Sequence, residues 1–109
     1  MKPIPKTFTS PLAAREFELV SNQDSRCLTI EIGVPIRDVE TAMGDDWRCP
    51  IRITCGGKVE LTCACGVDAM QAIELAIRLV PVLARSTCQE GERVMRWGET
   101  LERDDAEPD

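Results

Sequence analysis

The stretch WRCPIRITCGGKVELTCAC, from Trp47 to Cys65, decides the fold. Trp47, Cys49, Ile51, Ile53 and Cys55 alternate with Arg48, Pro50, Arg52 and Thr54, the two-residue period of a half-buried strand. After Gly56 and Gly57 the alternation resumes with Val59, Leu61, Cys63 and Cys65, so the stretch reads as an antiparallel hairpin. Directly paired residues share a face. If both apolar sets line one core, the turn must have odd length, three residues, which brings Ile53 opposite Val59 or Leu61. A two-residue Gly-Gly turn would instead set Ile53 against Glu60. Pro50 has no amide hydrogen to donate and is expected at a sheet margin or a bulge.

Upstream, Phe17 and Leu19 alternate with Glu16 and Glu18, and Leu28, Ile30, Ile32 and Val34 alternate with Thr29, Glu31 and Gly33. With the polar stretch Ser21 to Arg26 as the turn between them, these two runs predict a first hairpin. From Pro35 to Asp46 the pattern is irregular, and Ile36, Val39 and Met43 have the spacing to line a short helix. Residues 1–14, with Pro3, Pro5 and Pro11, predict a mobile arm.

Downstream, Asp68 and Gln71 have capping-box spacing and open a helix running through DAMQAIELAIRLVPVLAR. Helical periodicity nominates Met70, Ile73, Ile77, Val80 and Leu83 or Ala84 as its core face, and Pro81 predicts a kink. Val94, Met95 and Trp97 allow one further short strand. The expected architecture is α+β: a four-stranded antiparallel meander of two hairpins packed on one long kinked helix. It forms one domain over residues 15–98, with a disordered acidic tail at 99–109.

The chain has 109 residues and a net charge of −6, but the acids are concentrated at its end. Glu99, Glu102, Asp104, Asp105, Glu107 and Asp109 stand against Arg103 alone, so residues 1–98 are nearly neutral. No basic stripe for nucleic acid is present, and no apolar run has the length of a membrane span. The N-terminus lacks the apolar segment of a secretory signal. A cytoplasmic address with reduced cysteines is therefore expected.

The chain contains no histidine and no tyrosine, which removes the usual general base and histidine-based nucleophilic machinery. No Gly-rich phosphate loop is present, and no cofactor is expected. Asp45 and Asp46 are adjacent carboxylates in the 35–48 loop beside Trp47. With Arg37, Asp38 and Arg48 they are the polar groups an enzyme built on that loop would use, although solvated loop acids are the simpler reading. Hairpin pairing brings Cys49 opposite Cys63 or Cys65, so the three thiols form a candidate metal or redox cluster. The plainer alternative is that they are small buried hydrophobes.

Leu75, Leu79 and Val82 extend the helix's apolar arc beyond what one sheet covers, and with Arg78 and Trp97 they are the candidate partner surface. The function expected from these features is a non-enzymatic protein-interaction module whose partner is another protein or a second copy of itself, with neither nucleic acid nor membrane as a partner. An immunity or antitoxin-type partner is one version, in which the acidic tail steers the chain toward a basic protein.

The segment DDWRCPIRI followed by a short hairpin and GVDAMQAIELAIRLV resembles a family of small bacterial domains catalogued as a domain of unknown function. The likeness spans about residues 15 to 98. It implies a bacterial origin and the sheet-plus-helix fold, and it carries over no catalytic residue.

Overall fold

The computed structural model describes residues 2–96 and the strand residues 99 and 100. The predicted Trp97 contact and the acidic stretch from residue 101 onward lie outside the described residues. The protein is α+β, an antiparallel sheet with a single helix on one face.

The strands are β1 (Pro11–Val20), β2 (Ser25–Gly33), β3 (Ile36–Thr41), β4 (Gly44–Cys55), β5 (Lys58–Gly66), β6 (Arg93–Arg96) and β7 (Glu99–Thr100), with helix α1 (Ala69–Thr87) between β5 and β6. The sheet runs β5-β4-β2-β1-β6-β7. The two predicted hairpins lie side by side in the expected order, β5-β4-β2-β1, but the four-stranded count is too low. β6 is the further short strand allowed around Val94 and Met95 and pairs with β1, β7 extends the sheet past it, and another strand arises where a helix or loop was expected.

That strand is β3. It pairs with the first part of β4 (Thr41 with Gly44, Val39 with Asp46), while β2 pairs with the second part (Ile30 with Ile53, Ile32 with Ile51). β2 and β3 therefore act as one bent strand along one edge of β4. The segment from Pro35 to Arg48 is the end of a long hairpin rather than an irregular connection. Val39 is buried, whereas Ile36 and Met43 are exposed, a strand pattern rather than a helical one.

In the β4–β5 hairpin the turn is the two-residue Gly56-Gly57 pair, both at positive φ (58° and 82°), with Cys55 opposite Lys58 and Ile53 opposite Glu60. The odd-length turn expected from the apolar alternation is not formed. Positive φ at both central residues is the conformation that matches the right-handed twist of a tight hairpin, and glycine adopts it at least cost. The consequence is a one-residue slip that turns Val59, Leu61, Cys63 and Cys65 away from the core and places Thr62, Ala64 and Gly66 on the core face.

Small residues are required there because the helix lies close. A Cβ on Gly66 would stand 2.7 Å from the backbone nitrogen of Ala72. For the same reason α1 buries Ala72, Ala76, Val80 and Ala84, with Ile73, Leu79 and Leu83 packed at the sides. The predicted core face is thus rotated: Val80 and Ala84 are in it, but Met70 and Ile77 are exposed. Asp68 caps the helix, its Oδ1 accepting from the Gln71 amide at 2.7 Å, while the Gln71 side chain accepts from the Val67 amide at 2.8 Å. The helix continues through Pro81 as one element. Opposite it, Phe17, Leu19, Leu28, Ile30, Cys49 and Ile51 form the buried sheet side of the core.

Candidate functional site

The outer face of the sheet is partly covered by the N-terminal segment, which the sequence predicts to be a mobile arm over residues 1–14. β1 begins at Pro11, and residues 7–9 lie against the sheet. The Phe8 ring sits 4.2 Å from the guanidinium of Arg52. A Cβ on Gly33 would collide with Thr9 and with Pro50, so the segment crosses where a strand residue without a side chain leaves room. Thr9 Oγ1 also donates to the Val34 carbonyl at 2.7 Å.

Arg48, one of the loop candidates, is the anchor of this arrangement. Only 1% of its surface is accessible. Nε and Nη2 donate to the two carboxylate oxygens of Asp38 at 2.8 and 3.0 Å, while Nη1 and Nη2 donate to the carbonyl and hydroxyl of Thr7 at 2.6 and 2.8 Å. Such a bidentate fork compensates the desolvation of a buried cation and fastens β3 and the arm to β4. Its donors are engaged internally, which makes it a structural group. Of the other loop candidates, Arg37 donates to the Asp45 carbonyl at 2.9 Å, Asp45 is exposed, Asp46 is half-buried and Trp47 packs against the core. Asp45 and Asp46 are successive residues of a strand, so they point to opposite faces and do not converge on one atom.

A second ion pair joins the first hairpin to the end of the helix. Arg26 grips the Glu92 carboxylate in a bidentate fork, Nε and Nη2 donating at 2.8 and 2.7 Å, and its Nη2 also reaches the Thr87 carbonyl at 3.5 Å. The hydrogen bonds from Arg26 and from the Gln89 amide hold the Glu92 carboxyl down at about 2. Arg52 likewise lowers Glu31 by hydrogen bonding at 2.7 and 2.9 Å.

The three-cysteine cluster does not form. Cys49 pairs with Ala64 on the core side, its thiol donating to the Gly33 carbonyl at 3.3 Å, and burial raises its pKa. Cys63 and Cys65 lie on the outer face, paired with Pro50 and Arg48. Their sulfurs are 3.9 Å apart. Among the described residues no group of three or more His, Cys, Asp or Glu side chains is placed to hold a metal ion.

The helix leaves apolar side chains on both flanks. On one side Met70 and Ile77 are 69% and 52% exposed. On the other, Val82 and Leu75 are 41% and 38% exposed, with Arg78 exposed near them and Leu79 packed inward. Ile77 and Val80 border a cavity of about 180 Å³ shared with Ala13, Arg15, Ile30 and Ile32. Beside that cavity β1 is paired with β6 only at Glu18–Val20, so among the described residues the outer edge of Pro11–Phe17 carries no strand. This combination of a bare strand edge and an apolar helix flank escaped the sequence reading. The alternation of Phe17 and Leu19 gives the strand, but neither its four additional N-terminal residues nor its lack of a neighbour.

An antiparallel sheet with one face covered by a capped helix, and with no convergent acid, base and nucleophile among the described residues, defines a small α+β domain. The family model described as domain of unknown function (DUF6968) matches residues 13–106, and the chain belongs to that family. No curated protein and no solved structure matches it. Among the described residues no helix is long and apolar enough to cross a membrane.

Proposed function

We propose that the protein is a non-enzymatic interaction module that pairs with a second copy of itself along the free edge of β1 and the adjoining flank of α1. The observation that carries this reading is the exposure of Ile77 beside the Pro11–Phe17 edge, which carries no strand among the described residues, with Met70 exposed further along the same helix flank. A strand edge offers backbone hydrogen bonds to an added strand, and the neighbouring apolar groove supplies the burial that such pairing alone lacks. Pairing about a two-fold axis at Ala14 sets Ala13 against the second copy's Arg15 and Leu12 against its Glu16. No like charges then stand opposite one another, and both helices lie on the same face of the joined sheet. Leu75 and Val82, on the other flank, remain available to a different protein.

Light scattering coupled to size-exclusion chromatography tests the pairing. The expected mass is twice the 12.1 kDa of the chain, reverting to 12.1 kDa in Ile77→Asp. A 12.1 kDa species throughout the accessible concentration range overturns the reading.

A further inference from the structure

The geometry points to Cys63 and Cys65 as a two-thiol site for a monosubstituted trivalent arsenical, a soft electrophile that needs only two sulfur ligands from the protein. Both thiols are half-buried on the outer face of the edge strand β5, with sulfurs 3.9 Å apart.

Two features select a bridged complex over a direct sulfur–sulfur bond. Residues two apart on a strand have Cα atoms separated by about 6.4–6.8 Å, twice the rise per residue, at the far end of the range that a disulfide spans. Two bonds of about 2.3 Å meeting at a tetrahedral metal place sulfurs about 3.8 Å apart, a separation that these thiols already have. Bonds from arsenic to sulfur are of similar length, so only a small rotation of the side chains is required.

Two further features select the arsenical over a metal ion. A tetrahedral ion needs at least one more protein ligand, and two for a closed site, and among the described residues no third ligating group joins the pair. A trivalent arsenical completes its coordination with its own organic substituent. Its complex is also uncharged. Burial, reinforced by Cys65 and Asp38 and opposed by Arg48, pushes the Cys63 thiol up to about 11, so the surroundings disfavour a thiolate and favour a neutral product. In the reaction two arsenic–sulfur bonds form and the arsenic–oxygen double bond breaks. Both thiol protons leave with that oxygen as water, and arsenic keeps its oxidation state.

The test is titration of the full chain with phenylarsine oxide, read by intact mass and by iodoacetamide footprinting. The expected result is one adduct per chain that protects Cys63 and Cys65 and leaves Cys27 reactive. Ethanedithiol should strip the adduct, whereas 2-mercaptoethanol at equal thiol concentration should not. Cys63→Ala and Cys65→Ala are each expected to weaken binding about 100-fold or more, the gain supplied by a second tethered ligand. The wild-type footprint decides the site even if a variant folds poorly. Protection mapped to Cys55 or Cys88, removal by the monothiol, or a single-cysteine variant that is folded by circular dichroism and binds as tightly as wild type overturns the inference.

Discussion

The two adjoining hairpins of the sheet, β1–β2 and β4–β5, obey the same alternation and resolve it in opposite directions. In β1–β2 the larger side chains, Phe17, Leu28 and Ile30, turn inward and are buried. In β4–β5 the larger side chains of β5, Val59 and Leu61, turn outward and are exposed, while Ala64 and Gly66 face the helix. A strand's two-residue period separates its faces without saying which face is inside. In the first hairpin hydrophobicity decides the matter. In the second the glycine turn decides it, and the small residues on the inward face let the helix approach.

The largest effect expected from testing this contrast is at Leu28. Leu28→Ala removes a fully buried side chain from the inward face of the first hairpin and should cost about 2–5 kcal/mol in urea unfolding. Next is Gly66→Ala, which adds one methyl on the inward face of β5 against the backbone of Ala72. It should cost about 1–3 kcal/mol by the same measurement, although alanine is ordinarily the better strand residue. If the free energy is unchanged, the close helix approach is wrong.

A smaller effect belongs to Glu92, whose partner Arg26 lies in the first hairpin. Its carboxyl is depressed from the usual 4.5 to about 2 in the folded chain, so its contribution is fully present above about 4.5 and is lost as pH falls toward 2. The melting temperature of wild type should therefore fall across that window more steeply than that of Glu92→Gln, and parallel curves would contradict the pairing. The smallest effect is at Leu61. Leu61→Ser on the outward face should change stability by about 0.5 kcal/mol or less, whereas a leucine packed under the helix would cost several.

Much of the fold was legible in the sequence because its signals were local. Phe17, Leu19, Leu28, Ile30 and Ile32 announce the first hairpin by period, and Asp68 with Gln71 announces the helix start by hydrogen-bonding capacity. What stayed hidden depended on distant neighbours. The helix's inward stripe of alanines looks less apolar than the flank that carries Met70 and Ile77, so periodicity weighted by hydrophobicity found Val80 and Ala84 but rotated the face toward that flank. β3 has only one buried apolar side chain, Val39, and its pairing with β4 is what makes it a strand. Arg48 gave no sign of burial because Asp38 and Thr7, which accept its hydrogen bonds, are 10 and 41 positions away in the sequence. The thiol pair was half legible: the spacing of Cys63 and Cys65 places them on one face, but the turn determines that the face is exposed.

The grip of Arg48 on Thr7 also sets an order of events during synthesis. Thr7 leaves the ribosome long before Arg48 and Arg52, so the arm can reach Val34 early but cannot make its contacts with Arg48 and Arg52 until β4 has emerged and paired. Closing a loop across 41 positions is entropically costly in a disordered chain but becomes cheap once the intervening strands have drawn its ends together. A segment made ahead of β4 thus completes its docking only after β4, and a fusion or tag placed ahead of Thr7 must leave that late step free.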